Sequence, residues 1–491
     1  NEQRISFESI HAYSTPRRLS ILIRDIAEKQ STSIEEVKGP AMNIAKDKDG
    51  NWTKAAEGFT RGQGKTTDDI FVKDIKGTEY IFIEKKLEAN DTIDLLPQFK
   101  EVIQSIHFPQ TMHWSTGQFR YARPIRWLVA LYNHQVIPFE IANVKTSNQT
   151  NGHRFLGQKI TITDPLDYEK QLKDMFVIAD KTKREQIILE GIKQLEQKED
   201  FNIEVDPKLL NEVRNLVEYP TVFCGRFEEA FLKVPAEVLI TSMKEHQRYF
   251  PVNDENENLL PYFIGVRNGD EHELATVIRG NEKVLHARLS DARFFYEEDL
   301  KKSIDFYQEK LIRLVYQEKL GTVSEKVQRV TKISEYLAIQ LGVDEQTKKQ
   351  AVRAAEISKF DLTTNMVIEF TELQGIIGEK YALAFGESKE VSKAIREHYL
   401  PDKANGELPE SFIGSLLSIA DKLDSVVGFL SVGLTPSGSQ DPFSLRRQAT
   451  GILRILQDKK WDIKLEDLFN VACDLFKVDD RQSLLEELHQ F

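Results

Sequence analysis

The sequence has 491 residues, 40% of them hydrophobic and 29% charged, which is typical of a folded chain with about three domains. Its net charge of −12 argues against a basic coat for nonspecific nucleic-acid binding but is compatible with a local basic patch. The only cysteines, Cys224 and Cys473, cannot build a disulfide framework or a zinc cluster, and no apolar run reaches the ~18–20 residues of a membrane span, so we expect a cytoplasmic protein with no membrane association.

The N-terminal part of the chain combines strand and helix patterns. A turn at Ser14–Arg18 precedes Leu19–Arg24, whose apolar run predicts a buried strand. Tyr80–Lys85 alternates and predicts a half-buried strand, and Lys159–Thr163 predicts another. Gly58–Gly64 is rich in glycine but follows no clear strand, which predicts a loop.

Basic and aromatic side chains are interleaved in Phe119–Trp127. Arg120, Arg123 and Arg126 recur at every third residue, with aromatic residues around them. Guanidinium groups match phosphates and aromatic rings stack on unpaired bases, so this mixture suits RNA. The alternative is that these arginines pair with acidic neighbours in a protein rich in Asp and Glu.

The middle of the chain continues with a charged helix predicted at about 181–198 and helices at 288–296 and 301–320. Between them, Lys244, His246 and Arg248 alternate, and on a strand or extended loop they would line one face. His246 could carry a proton near neutral pH. A structural role for this histidine is the alternative.

The stretch 356–382 predicts a buried helical face. Apolar residues recur there at steps of three and four: Met366, Phe370, Leu373, Ile377 and Tyr381. Asp361 precedes them as either a helix cap or a metal ligand. Asp421 and Asp424 lie three residues apart on a further predicted helix, within reach of each other.

A last helix is predicted after Asp441, which can cap it, with Pro442 in its first turn. Arg447 and Arg454 share one face of this helix and could bind a phosphate or an acidic partner. A purely structural arginine face is the alternative. No Gly-rich phosphate loop, nucleophile elbow or histidine-pair zinc motif occurs, so the residues alone indicate a multidomain chain that binds RNA or protein.

Taken together, these stretches resemble one family, the β subunits of bacterial two-subunit glycyl-tRNA synthetases. The matching segments occur in family order along nearly the whole chain: Ser14–Leu19, Lys38–Ala41, Ala55–Phe59, Phe119–Trp127, His153–Gly157, Lys244–Phe250, Arg288–Phe295, Gln317–Thr322, Lys359–Met366, Ala420–Asp424 and Asp441–Arg447.

The resemblance implies a multidomain α+β fold. Residues 1–300 would form a mixed α/β tRNA-binding-type (B3/B4-like) module, with a possible break near 175, and 301–344 a helical linker. Residues 345–457 would form an all-α HD-like domain, and 458–491 would start a helical body-tail region. Since the sequence starts at Asn1 and is still helical towards Phe491, we expect it to be part of a longer chain.

The resemblance also implies a function. In this family a separate α subunit binds glycine, ATP and Mg²⁺ and carries out the ligation, while the β subunit binds and positions tRNA(Gly) in a hetero-oligomer. We therefore expect no catalytic residue, cofactor or metal in this chain. The residues that match motifs and carry positive charge are the candidates for contact with tRNA: Arg120, Arg123, Arg126, Lys244, Arg248, Arg446 and Arg447.

The HD-like positions depart from the metal-dependent enzymes of that fold. Where those carry a His-Asp doublet, this chain has Phe360 and Asp361 after Lys359, with Asp421 further along. Phenylalanine cannot bind a metal, and an adjacent ammonium group opposes cation binding. Two alternatives are a metal-dependent phosphohydrolase and an editing hydrolase that removes wrong amino acids from tRNA.

Overall fold

The computed structural model describes residues 3–114, 117, 119–438, 440–478 and 480–491. The chain is a mixed α+β protein with small sheets, and it divides into two compact units. Unit 1 comprises Asn1–Gly191, Leu210–Val222 and Val266–His272, and unit 2 comprises Ile192–Leu209, Phe223–Gly265 and Glu273–Phe491. No helix of the described chain is long and apolar enough to cross a membrane.

The strands are short and form hairpins and small sheets. In chain order they are β1 (Ser9–Thr15), β2 (Arg18–Arg24), β3 (Ser33–Ala41), β4 (Ile70–Ile75), β5 (Thr78–Leu87), β6 (Met112–His113), β7 (Arg120–Tyr121), β8 (Leu128–Val129), β9 (Leu131–Tyr132), β10 (Gln135–Val136), β11 (Glu140–Ile141), β12 (Val144–Ser147), β13 (Gln149–Asn151), β14 (Lys159–Thr161), β15 (Pro220–Arg226), β16 (Phe250–Asn253), β17 (Leu259–Asn268), β18 (Val315–Gln317) and β19 (Gly321–Thr322).

The helices become longer and more frequent after residue 273. They are α1 (Met42–Ala45), α2 (Lys54–Gly62), α3 (Thr92–Leu95), α4 (Phe99–Ser105), α5 (Tyr168–Asp174), α6 (Lys181–Glu199), α7 (Pro207–Leu216), α8 (Ala236–Thr241), α9 (Leu274–Asp299), α10 (Ile304–Lys310), α11 (Val323–Gln340), α12 (Glu345–Glu356), α13 (Asn365–Glu369), α14 (Ile376–Ala384), α15 (Lys389–Glu397), α16 (Phe412–Ser431), α17 (Leu445–Lys459), α18 (Leu465–Cys473) and α19 (Arg481–Gln490).

Two of the small sheets of unit 1 show which side chains their strands bury. In the sheet β3-β5-β4, the central strand β5 buries Ile81 and Ile83 completely, and Ile81 packs with Ala45 of α1 and Ala56 of α2. The hairpin β1-β2 pairs Tyr13 with Ser20, and Tyr13 packs with Leu172 and Val177. The opposite face of this hairpin is open, with Leu19 57% exposed, so β2 exists but the prediction that it is buried is wrong.

Unit 2 is organised around α16, which is buried along most of its length and packs against α11, α15 and α17. Ser411 caps this helix by accepting a hydrogen bond from the Gly414 N–H. Charged residues inside such a helix need partners within the protein, because water does not reach them. Asp421, Lys422 and Asp424 are three such residues.

Several sequence predictions are confirmed and others are wrong. The helix at 181–198 is α6, and the apolar face from Met366 to Tyr381 is entirely buried. That face is divided among α13, a 3-10 turn at Thr371–Leu373 and α14, because the chain leaves α-helical geometry at Phe370 and again at Gly375, where φ is 77°. The predicted loop at 58–64 lies largely in α2, and the predicted helix at 301–320 is α10 followed by β18.

Candidate functional site

In unit 1, side chains of the turn between β1 and β2 bind the buried carboxylate of Glu218. Glu218, 1% exposed, accepts hydrogen bonds from Thr15 Oγ1 at 2.7 Å and Arg17 Nη1 at 3.3 Å. Arg18 Nη1 lies 3.3 Å from the same carboxylate. Two guanidinium groups thus share one carboxylate, which leaves a local excess of positive charge in a protein that is acidic overall.

The same two arginines hold a second hairpin of unit 1. Arg17 Nη1 donates to the Gly152 carbonyl at 3.0 Å, and Arg18 Nη2 donates to the Asn151 carbonyl at 3.0 Å. The Arg17 guanidinium also lies 5.6 Å from the centre of the Trp127 ring, in cation–π geometry. Arg17 therefore joins three segments that the sequence presents separately: the first turn, the arginine-rich stretch and the hairpin β13-β14.

The three arginines of that stretch differ in their surroundings. Arg120 lies on β7 and donates from Nε to His113 Nε2 on β6 at 2.6 Å. Arg123 and Arg126 are exposed, and neither forms a hydrogen bond or an ion pair with any described residue. Exposed guanidinium groups of this kind can bind a phosphate by donating hydrogen bonds to it, without breaking an existing interaction. Contact with RNA stays a prediction for all three.

Lys244 and Arg248 lie in unit 2 and have protein partners. The prediction of a strand or extended loop is wrong here, because Ser242–Gln247 forms a π-helical turn that ends in a left-handed Arg248 with φ of 59°. Lys244 Nζ lies 3.7 Å from Asp206 Oδ2, and Arg248 Nη1 donates to the Lys244 carbonyl at 3.0 Å. His246 stacks on the Phe370 ring at 5.3 Å, which supports its structural role.

The arginines of α17 separate into bound and exposed groups. Arg446 donates to the carbonyls of Gly438 and Pro436, at 2.8 and 3.3 Å. Arg454 donates to two carbonyls of the loop before α16, so its role is structural. Arg447 is exposed and pairs with no residue in the described ranges. Helix α17 begins at Leu445, after Ser444, so the predicted cap at Asp441 and the predicted first turn at Pro442 are wrong. Asp441 lies before the helix and accepts a hydrogen bond from the Leu445 N–H at 2.8 Å.

The aspartates of α16 form a buried ionic cluster with lysine and arginine. Asp421 Oδ1 lies 3.3 Å from Lys326 Nζ and 3.2 Å from Lys359 Nζ. Asp424 accepts from Lys326 Nζ at 3.1 Å and from Arg329 Nε at 2.6 Å. Burial by itself would raise the pKa of the Asp421 carboxyl, but the two ammonium groups outweigh it and hold that pKa below its usual range.

His398 completes this cluster as a neutral acceptor. Its Nδ1 lies 2.6 Å from the Ile395 carbonyl, which assigns the ring proton to Nδ1, and Lys359 Nζ donates to Nε2 at 2.7 Å. Burial, together with Lys359, lowers the pKa of His398 well below its usual value. Burial also lowers the pKa of Lys422, to about 7, although its Nζ is bound to three oxygen atoms.

Asp361 acts as a helix cap across space. Its Oδ2 accepts from the N–H of Gly375, the residue that precedes α14, at 2.6 Å. The helix that follows Asp361 in sequence is instead capped by Thr364. Burial raises the pKa of Asp361 to about 6, and Phe360 beside it is fully buried in the core.

These residues do not fit a divalent cation. A metal ion at Asp421 would meet the ammonium groups of Lys326 and Lys359, and the only nearby imidazole already accepts from Lys359. Within the described ranges, no group of three or more His, Cys, Asp or Glu side chains is arranged to hold a metal.

The sequence did not predict the partners of the buried Glu218 carboxylate or those of the buried aspartates of α16. Lys326 could have been noticed, because it interrupts an apolar helical stripe that includes Val323, Val327 and Val330. Arg17 and Arg18 belong to the segment Ser14–Leu19, whose sequence indicates only a turn. Glu218 carries no local signal that distinguishes it from the other acidic residues.

Comparisons with known proteins agree along the whole chain. A family model described as glycyl-tRNA synthetase beta subunit matches residues 1–491. The glycine–tRNA ligase beta subunit of Oceanobacillus iheyensis is 57% identical over 493 residues, covering 100% of this chain and 71% of the relative. The glycine–tRNA ligase beta subunit of Bacillus subtilis is 52% identical over 485 residues, covering 99% of this chain and 71% of the relative.

Proposed function

The chain belongs to the family of glycyl-tRNA synthetase β subunits, and we propose that it binds and positions tRNA(Gly) for glycylation on a separate α subunit. The relatives carry the name of an aminoacyl-tRNA ligase subunit, and that name implies a hetero-oligomer. They give no support to a phosphohydrolase or an editing hydrolase. Such a subunit acts where tRNA is charged, in the cytoplasm.

One observation carries the RNA-binding part of the proposal. In an acidic protein, Arg123 and Arg126 are exposed in the stretch that ends at Trp127, whose ring lies 5.6 Å from the Arg17 guanidinium. Exposed guanidinium groups next to aromatic rings are suited to phosphates and unpaired bases. Of the other candidates, Arg447 in unit 2 is also exposed. Arg120, Lys244, Arg248 and Arg446 already have partners in the protein and would need to exchange or share them.

We also propose the finer domain assignment. Residues 1–300 would form the B3/B4-like module and 345–457 the HD-like domain, with 301–344 as linker and 458–491 as the beginning of a body-tail region. The proximity of Lys359, Asp421 and His398 supports an HD-like arrangement in which ammonium groups stand near the aspartate in place of a metal. ATP and Mg²⁺ would then bind only to the α subunit.

Aminoacylation of tRNA(Gly) by purified α subunit, with and without this chain, tests the proposal. A second arm uses a chain extended to the full length of the relatives, because the present chain spans 71% of them. We expect glycylation to require a β chain, and this chain alone to bind tRNA(Gly) with an affinity that falls as salt rises. Equal glycylation by the α subunit alone would contradict the proposal.

The RNA surface is tested separately by binding. Replacing Arg123 and Arg126 together by Gln should weaken binding of tRNA(Gly), because two phosphate contacts are lost. Lys73→Gln is a matched control in unit 1, since Lys73 is exposed but already paired with Glu36. If the double variant binds as tightly as the control, the assigned surface is wrong.

A further inference from the structure

The loop at the tip of the hairpin β13-β14 holds a phenylalanine ring in solvent. Phe155 is 83% exposed, the largest exposed fraction among the exposed large hydrophobic residues of the described chain. Asn151 pairs with Lys159 at the base of this loop, so Gly152–Gln158 projects directly from the end of the two strands. A large aromatic side chain in this position is not explained by packing, because packing would remove it from water.

The backbone of the loop is fixed from within. The Gly152 N–H donates to the Gln158 carbonyl at 2.7 Å, and the Gly157 N–H donates to the His153 carbonyl at 2.9 Å. A Cβ at Gly157 would lie 2.4 Å from His153 N and 2.6 Å from the Met175 carbonyl oxygen, both backbone atoms that cannot move aside. Glycine is therefore required at this position by close approach.

A buried histidine supports the exposed ring. His153 is 2% exposed, and its Nδ1 accepts from the N–H groups of Phe155 at 3.4 Å and Leu156 at 3.3 Å. The His153 N–H is in turn bound to the Met175 carbonyl at 2.9 Å. In addition, Arg17 Nη1 donates a hydrogen bond to the Gly152 carbonyl at 3.0 Å. The ring of Phe155 is thus exposed on a loop that is anchored to the body of unit 1 on several sides.

The charge around the ring is positive. The Arg154 guanidinium lies 5.6 Å from the centre of the Phe155 ring, and Lys159 at the base of the loop is exposed. Residues 151–159 contain no Asp or Glu. An exposed ring beside the Arg154 guanidinium, with Lys159 at the base of the same loop, complements a nucleotide, whose base stacks and whose phosphate is an anion.

We propose that the loop Gly152–Gln158 is a stacking platform for an unpaired nucleotide of tRNA, with Phe155 under the base and Arg154 and Lys159 at the adjoining phosphates. This inference rests on the proposed function, because it names where on the chain an unpaired nucleotide would bind. A protein partner is less well suited to this loop. Protein interfaces need a larger apolar area, whereas within 152–158 only Phe155 is an exposed large hydrophobic residue, and the exposed Arg154 lies beside it.

The binding test compares Phe155→Leu with Phe155→Trp in the complex of the α subunit and this chain. Leu keeps an apolar side chain but has no aromatic face, so we expect the Kd for tRNA(Gly) to rise about tenfold, within the range known for base stacking. Trp should preserve the Kd. Phe294→Leu, which removes an exposed ring on α9, serves as the control and should leave the Kd unchanged.

A spectroscopic arm identifies the nucleotide. The tRNA carries 2-aminopurine in its unpaired 3′ end in one sample and in an unpaired loop position in another. Quenching on binding by the wild-type chain, lost with Phe155→Leu and kept with Phe155→Trp, is the expected signature of stacking. Arg154→Gln should keep the quenching while lowering the salt dependence of binding by the equivalent of about one phosphate contact.

The outcomes separate this inference from the proposed function. If the wild-type complex binds no tRNA(Gly), the proposed function itself fails. If it binds tRNA but Phe155→Leu changes neither the Kd nor the quenching, only the platform is wrong. If Phe155→Leu instead weakens association with the α subunit at unchanged tRNA affinity, the loop is a protein contact and the inference is overturned.

Discussion

Single buried charges in this protein are positioned by partners that are distant in sequence. Lys326 reaches the Asp421 carbonyl across 95 residues, and Arg18 reaches the Asn151 carbonyl across 133. Buried ions cost several kcal/mol to desolvate, so each depends on the others staying in place. Removing one partner should therefore destabilise the fold more than removing an exposed charge.

Asp421→Asn tests this dependence. The substitution leaves Lys326 and Lys359 buried with less compensation, and we expect the free energy of unfolding to fall by about 3–5 kcal/mol. Urea denaturation measures the change. Glu298→Gln, which breaks an exposed pair with Lys301, is the control and should cost less than about 1 kcal/mol. Equal losses for the two variants would show that the buried cluster is not stabilised by its charges.

Asp361 predicts a pH dependence of stability. Its folded pKa of about 6 lies above the ordinary value of 3.8, so the folded state holds the proton more tightly than the unfolded state. The resulting stability is present below pH 3.8 and is lost as the pH rises to about 6. Relative to Asp361→Asn, the wild-type chain should lose up to about 3 kcal/mol across this window in urea denaturation. Parallel curves for the two proteins would contradict the prediction.

In unit 2, two glycines of the neighbouring strands β15 and β17 each pack against a phenylalanine ring of the other strand. On β15 and β17, Gly225 faces the Phe263 ring and Gly265 faces the Phe223 ring, and a Cβ at either glycine would lie 2.4 or 2.3 Å from a ring carbon. Each glycine leaves room for an aromatic ring on the neighbouring strand. The Phe263 and Phe223 rings therefore pack against the neighbouring strand only because glycine stands at each facing position.

Gly225→Ala should overpack this contact and lower the free energy of unfolding by about 1–3 kcal/mol. Adding Phe263→Leu to the same chain should restore part of the loss, because the smaller side chain makes room for the new methyl group. Gly280→Ala is the matched control, since nothing lies within 4 Å of a Cβ there and α9 should gain about 0.5–1 kcal/mol. Thermal or urea unfolding measures all three variants.

Residues 366–381 show what the spacing of apolar residues can predict and what it cannot. Steps of three and four residues identify which side chains between Met366 and Tyr381 are buried, because burial follows the apolar pattern. They do not reveal the break at Gly375, whose N–H is bound by Asp361 from 14 residues away. A tertiary hydrogen bond decides where α14 begins.

At the scale of the whole molecule, a net charge of −12 opposes the approach of RNA, so binding must depend on local groups. Arg123→Gln and Arg126→Gln should each lower the slope of log K against log salt by about 0.7–0.9 if each arginine contacts one phosphate. Filter binding of tRNA(Gly) over a range of salt concentrations measures the slope. The Lys73→Gln chain should keep the wild-type slope, and a slope unchanged by either arginine variant would assign the phosphate contacts elsewhere.

Many of the helices and strands, the buried face from Met366 to Tyr381 and the family of the chain follow from the sequence without the structure. These properties depend on local periodicity and on motifs in a fixed order, and both are written along the chain. The tertiary structure alone decided that Lys326 and Lys359 neutralise Asp421, and that Arg17 joins Trp127 to the loop of Phe155. The sequence positions of charged residues do not show which of them will pair, because a buried ion pair forms only when folding brings both groups together out of water.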